Sequence, residues 1–238
     1  MTDPPPAAPS TPCFRFVDVS LLAPGGEVIL SGVDATVAAG GITVLVGPSG
    51  SGKSSLLRLC NRLEAPTSGQ VLFRGDDIAA LDPLAHRRRV GMVFQRPTLF
   101  AGTVRDNLAV AAPHGTDAQF EAVLERVTLD GSFLGRTADD LSGGEAQRAC
   151  IARALLTEPE VLLMDEATSA LDPDARRAIE RLALDLVASG LTLVWVTHDL
   201  EQVQRLLGED VERVLVVLAG RVADPDEAAA FLADRDPE

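Results

Sequence analysis

Residues 42–63 read ITVLVGPSGSGKSSLLRLCNRL: a continuous apolar run, a glycine-rich turn and a helical segment, in that order. An apolar run that ends in glycine predicts a strand buried on both faces. Gly47-Pro48-Ser49-Gly50-Ser51-Gly52-Lys53-Ser54 fits G-x-x-x-x-G-K-[ST] and falls between strand and helix, where such a loop binds phosphate. Its glycines let backbone N–H groups close around phosphate oxygens, and the helix N-terminus adds partial positive charge. Lys53 is expected to reach the β- and γ-phosphates and Ser54 to offer its hydroxyl to Mg²⁺, with Ser55 completing the cradle. The bland reading, a glycine-rich turn that binds nothing, leaves the flanking strand and helix unexplained.

Upstream, FRFVDVSLL from Phe14 and VILSGVDATV after the Pro24-Gly25-Gly26 turn alternate enough to predict half-buried antiparallel strands. Downstream, VGMVF at Val90, VLLMD at Val161, LTLVWVTHD at Leu191 and RVLVVLAG at Arg213 predict further buried strands. Helical text separates them, as a mainly parallel sheet requires. Between Pro97 and Pro159 only amphipathic helical text occurs. The expectation is one α/β domain over 14–238, with a mainly parallel core sheet, an N-terminal antiparallel β part and an inserted helical part. Residues 14–96 and 158–238 form the α/β portion and 97–157 the helical one. MTDPPPAAPSTP predicts an extended tail, so residues 1–13 are left out of the fold.

A phosphate loop that works with magnesium needs a carboxylate on a neighbouring strand, and VLLMDE supplies two. Asp165 suits the metal and its waters, while Glu166 is placed to accept a proton from an attacking water. In LVWVTHD the strand ends at His198, which can donate a hydrogen bond to a γ-phosphate; a lone histidine there is more often structural, so its value depends on company.

LSGGEAQRACIARALL, from Leu141, raises a second phosphate question. Ser142 and Glu145 form a capping box, which accounts for two residues. Gly143 and Gly144 remain, each about 1 kcal/mol worse than alanine inside a helix. Two glycines at a first turn allow close approach to an anion, yet the chain's own phosphate loop already surrounds its own nucleotide. The economical expectation is a second copy's nucleotide.

With these motifs in place the chain resembles the nucleotide-binding subunits of ABC transporters from about Phe14 to Gly220. The resemblance rests on GPSGSGKS, the glutamine loop FQRPTLF, the signature LSGGEAQR, VLLMDEATSALD and VTHD, in family order. It implies a P-loop NTPase of ABC type that hydrolyses ATP with Mg²⁺. It implies two copies, head to tail, closing on two ATP molecules, each between one phosphate loop and the other copy's signature. Ser142, Gly143 and Gly144 would then meet the partner's γ-phosphate, and Ser169 to Asp172 would cross the interface. Gln95 would sense magnesium and the attacking water, joining Ser54 and Asp165 at the metal.

One position departs from the family. An aromatic residue, usually tyrosine, stacks on adenine in many members; here that position is Ala23, and the chain has no tyrosine. Phe14 and Phe16 are candidate substitutes, although strand phenylalanines are more often core. FQRPTLFAGTVRDNLAV spans the loop that, in the family, receives the coupling helix of a membrane permease. Its wording, with SFLGRTADDLSGGEAQR, is most similar to small stand-alone subunits of the iron-export and aluminium-tolerance type, phosphate-import subunits coming second. The alternative from another class is a nucleotide-gated clamp without a membrane partner. Such relatives carry long coiled coils or two cassettes, and neither is present.

Composition agrees. With 46% apolar residues the chain can bury a sizeable core, and a net charge of −14 argues against binding nucleic acid through its phosphates. Arg87-Arg88-Arg89 reads as a solvated helix end. Cys13, Cys60 and Cys150 are odd in number and lack metal-ligand spacing, as expected of reduced cytosolic thiols. No run reaches the length of a membrane span and no targeting segment opens the chain, so the expected place is the cytoplasm, held to the inner face of the membrane through a permease.

Overall fold

Alternating text upstream and continuous apolar runs downstream build two different sheets. The computed structural model describes residues 11–208 and 210–233; most of the expected tail, residues 1–10, lies outside them. In chain order the strands are β1 (Phe14–Leu22), β2 (Val28–Val37), β3 (Gly41–Val46), β4 (Ser68–Phe73), β5 (Asp76–Asp77), β6 (Val90–Val93), β7 (Val161–Asp165), β8 (Thr192–Thr197), β9 (Val214–Leu218) and β10 (Arg221–Val222). The helices are α1 (Lys53–Cys60), α2 (Pro83–Arg89), α3 (Val104–Ala111), α4 (Asp117–Arg126), α5 (Gly143–Leu155), α6 (Pro173–Ala188), α7 (Leu200–Leu207) and α8 (Pro225–Ala233).

β1, β2, β4 and β5 form an antiparallel sheet in the order β2-β1-β4-β5. The second sheet runs β10-β9-β3-β8-β7-β6, parallel from β9 to β6 with β10 added antiparallel. This mixed arrangement is the expected α/β class with its antiparallel part. Among the described residues no strand lies between Pro97 and Pro159; α3, α4 and α5 occupy that stretch with short 3₁₀ turns.

β3 shows why its run is almost wholly apolar, Thr43 being its one polar side chain and buried at 3% exposure. Ile42, Val44 and Val46 face a core layer that includes Trp195, Phe120 and Leu108. Leu45 faces the opposite layer, with Phe14, Phe73, Leu56 and Leu57. A strand covered on both faces has no position for a polar side chain toward water.

Three expectations need correction. Cys13 belongs to the fold, since it is fully buried and its N–H donates to the Val37 carbonyl at 2.8 Å. Phe14 and Phe16 lie in the core at 0% and 2% exposure, so neither is free to stack on a base. The arginine triplet is not simply solvated. Arg87 donates to the carbonyls of Asn61 and Arg62, and Arg89 pairs with Glu160 at 2.5 Å over the Phe73 ring. All three cysteines are free and buried, and desolvation raises their thiol pKa values, that of Cys13 to about 11. No helix among the described residues is long and apolar enough to cross a membrane.

Candidate functional site

The phosphate loop leaves β3 at Val46 and enters α1 at Lys53. Gly47 is dictated by crowding, because a Cβ there would sit 2.1 Å from the Val217 carbonyl oxygen of β9. Gly52 is the N-cap of α1 with φ +100°, in the left-handed region that favours glycine. Helices α2 to α7 each have a side-chain cap, from Asp82, Thr103, Thr116, Ser142, Asp172 and Asp199, whereas α1 has none. A helix start without a side-chain cap leaves first-turn N–H groups to an outside acceptor.

Two further observations fit phosphate here. The Ser51 hydroxyl oxygen is buried and has no hydrogen-bond partner. Lys53 is 4% exposed, and its Nζ donates inward to the Gly47 and Pro48 carbonyls at 2.8 and 2.6 Å. Burial pulls its ammonium below the ordinary lysine pKa, opposed by the Glu166 and Asp165 carboxylates. An anionic ligand would restore what desolvation takes away.

The oxygen donors for a divalent ion are adjacent. Ser54 Oγ donates to Asp165 Oδ1 at 2.7 Å, and Asp165 is 4% exposed at the end of β7. A hydroxyl and a carboxylate suit a hard cation such as Mg²⁺. The second carboxylate oxygen of Asp165 meets Arg58 of α1 at 3.4 Å, and Arg58 also pairs with Glu64. Sequence reading missed Arg58; its place five residues after Lys53, on the helix face turned to β7, is visible only with the strands in position.

Glu166 follows directly. Its carboxylate stands 3.5 Å from His198 Nδ1 and accepts from Gln95 Nε2 at 3.3 Å; Gln95 also donates to Ser169 Oγ at 3.1 Å. Residues from the ends of β6, β7 and β8 thus meet, with His198 more than half exposed. Gln95 turns its amide to Glu166 and Ser169 rather than to Ser54 or Asp165. His198 thus has the Glu166 carboxylate as its neighbour.

Ser142, Gly143 and Gly144 are elsewhere. No hydrogen bond among the described residues joins them to residues 47–55 or to Glu166. The capping box is complete: Glu145 N–H donates to Ser142 Oγ at 3.3 Å and Ser142 N–H to Glu145 Oε2 at 2.7 Å. Those bonds and Arg136, at 2.9 Å, hold the Glu145 carboxyl below its usual pKa. The two glycines differ. Gly144 is buried, and a Cβ there would stand 2.8 Å from Ala175 Cβ of α6, so helix packing explains it without a ligand. Gly143 is exposed, and its Cβ would make only an ordinary 3.7 Å contact with Leu171. At the β1–β2 hairpin Ala23 is half-buried, and Leu22 and Val28, paired across it, present apolar surface at 42% and 60% exposure.

The family model described as ABC transporter matches residues 30–169. Protein STAR1 of Oryza sativa subsp. japonica is 45% identical over 204 residues, which cover 84% of this chain but only 58% of that protein. ABC transporter I family member 17 of Arabidopsis thaliana is 41% identical over 220 residues, 90% of this chain and 82% of its own length. Among solved structures, cbiO1 from Clostridium perfringens, part of the ABC transporter complex cbiONQ, superposes with TM-score 0.80 at 27% identity over 92% of this chain and 91% of that one. A bacterial Atm1-family ABC exporter with ATP bound gives TM-score 0.80 at 31% identity, over 94% of this chain and 40% of the exporter. With its phosphate loop, acidic pair and signature helix in the family's fold, this chain belongs to the ABC transporter family and carries its ATPase domain.

Proposed function

We propose that two copies of this chain close head to tail on two Mg-ATP and hydrolyse them to drive a separate membrane permease. The observation that carries this is a separation within one chain. Residues 47–55, Asp165, Glu166, Gln95 and His198 converge, whereas Ser142 and Gly143 lie exposed at the start of α5, and no hydrogen bond among the described residues joins them to that group. A second copy would bring that helix start to the nucleotide.

Residues Gly47 to Ser55 cradle the phosphates, with Lys53 on the β- and γ-oxygens. Ser54 and Asp165, with Gln95 beside them, would hold magnesium, which when bound would neutralise phosphate charge. Glu166 takes the proton of the attacking water, and His198 donates to the γ-phosphate. Ser142, Gly143 and Gly144 approach the partner's γ-phosphate, and Ser169 to Asp172 line the contact. Closure excludes water and completes each site only when both halves meet, which ties hydrolysis to movement elsewhere.

The permease is expected on the groove beside Gln95. Phe94, Phe100 and Val110 are exposed there at 44%, 52% and 57%, rimmed by Arg96 and Arg153. Exposed apolar surface with a polar rim marks an interaction site. Export of a metal such as iron is the transport favoured by the wording of residues 97–108 and 132–148; the relatives' names span several cargoes, methionine and Fe(3+) ions among them, so the family alone does not choose. The place of work is the inner membrane face, through the permease.

Light scattering tests the dimer. Glu166→Gln, which binds but cannot turn over, is expected to run at twice the mass of the 25.1 kDa chain with Mg-ATP and as a single chain without it. A single chain at saturating Mg-ATP would overturn the shared site.

A further inference from the structure

We propose that Gln202 is a positioning residue for Glu166 and His198, acting through a buried polar junction between α6 and α7. The proposal deepens the reading above, since it rests on Glu166 being the base.

Glu166 has φ +45°. A side-chain-bearing residue stays in that left-handed region only where its surroundings fix it, and such positions gather at functional sites. The backbone supplies part of the hold: Glu166 N–H donates to Val196 O of β8 at 3.2 Å, and Ser169 N–H to Glu166 O at 3.0 Å. Two residues after Glu166, Thr168 Oγ1 accepts from Gln202 Nε2 at 2.9 Å. Thr168 is 3% exposed and Gln202 2%, so water cannot stand in for either partner.

The same amide reaches two other elements. Gln202 lies on α7, its Nε2 also donates to Glu180 Oε1 of α6 at 2.7 Å, and its Oε1 accepts from Trp195 Nε1 of β8 at 3.2 Å. One side chain therefore ties the turn that carries Glu166 to the strand that delivers His198. A second tier encloses it. Arg205 grips Glu180 through Nε and Nη2 at 2.9 and 3.1 Å and meets Asp199 at 3.4 Å; Asp199 follows His198, caps α7 and also meets Arg176 of α6. α6 begins at Pro173, directly after residues 169–172, and α7 directly after His198 and Asp199. The junction thus clamps together the two turns whose side chains must aim at one water, and the segment expected to meet a second copy.

A network with so buried a centre also stabilises the fold, so the test must separate aim from stability. Thr168→Val removes the one acceptor that links Gln202 to the Glu166 turn, keeps the shape, and leaves the Glu180 and Trp195 bonds in place. The expected result is kcat down about tenfold, the size of a sub-ångström misplacement. The ATP dissociation constant, measured by calorimetry on the whole chain, stays at the wild-type value, and Thr168→Ser restores kcat. Wild-type kcat in Thr168→Val, parallel loss of kcat and ATP affinity, or failure of serine to rescue would each overturn the role. If Thr168→Val does not unfold cooperatively, Arg205→Met reads the second tier from a side chain that is 34% exposed. It is expected to lower kcat without changing ATP affinity, and an unchanged kcat overturns the proposal. Glu166→Gln in the same assays keeps the two claims apart. Wild-type turnover there removes the base; an inert Glu166→Gln beside a fully active Thr168→Val removes only Gln202.

Discussion

Two helices of this chain begin at glycine-rich segments, and they begin in opposite ways. α1 starts at Gly52 without a side-chain cap, beside a buried unpartnered Ser51 hydroxyl and a lysine turned onto backbone carbonyls. α5 starts at Ser142 with a complete capping box, and Arg136 balances the Glu145 carboxylate. The first helix start is unfinished without an anion. The second has its Glu145 N–H capped within its own chain, and the proposed reading brings another copy's phosphate to its exposed edge. On the proposed reading, similar glycine content stands for two tasks: holding a ligand, and completing another copy's site.

The largest expected effect tests the unfinished side. Glu166→Gln is expected to lower turnover by about 10²–10⁴-fold, the usual contribution of a general base, with ATP still bound; ordinary steady-state hydrolysis would show that the acidic pair works differently. On α5 the two glycines separate packing from approach. Gly144→Ala drives a Cβ to 2.8 Å from Ala175 and is expected to destabilise the fold by about 1–3 kcal/mol in denaturant melts; no loss would mean that α5 and α6 part freely. Gly143→Ala meets only a 3.7 Å contact and is expected to stabilise by up to about 1 kcal/mol while slowing hydrolysis. Higher stability with unchanged turnover would remove Gly143 from the proposed interface.

The smallest effect is one of pH. Glu145 has its carboxyl pKa lowered in the fold, so folded chains bind fewer protons there than unfolded ones. Its contribution is complete above the ordinary value of 4.5 and fades as pH falls through the lower folded value. Glu145→Gln is expected to flatten the acid limb of a thermal-midpoint profile below that value, and an identical acid limb would show that the box adds no linkage.

The division between what sequence could and could not give follows the same physics. β1, β2, β3 and β7 stand out in the text because alternation or continuous burial is imposed on every residue. β4 does not, since Ser68, Gly69 and Gln70 are exposed and only Val71, Leu72 and Phe73 carry the pattern. The phosphate loop, Asp165, Glu166 and His198 are readable because each ends a strand. Gln202 and Thr168 are silent until α6 and α7 are packed, although Gln202 shares the buried face of α7 with Val203 and Leu206, and a polar residue on such a face is a signal worth following. Gly144 was legible as a glycine, but its packing reason was not: the neighbour that forbids a side chain is Ala175, which no local pattern reveals.

The central claim is that each catalytic site is shared between copies, and mixing two inactive chains tests it. Lys53→Ala damages the phosphate loop and leaves the signature intact; Ser142→Arg does the reverse. Each alone is expected to be inactive. In an equal mixture half the dimers pair one of each and restore one site of two, so ATPase activity is expected to return to about a quarter of wild type. A mixture as inactive as its components, with mixed dimers demonstrated by mass, would contradict the shared site.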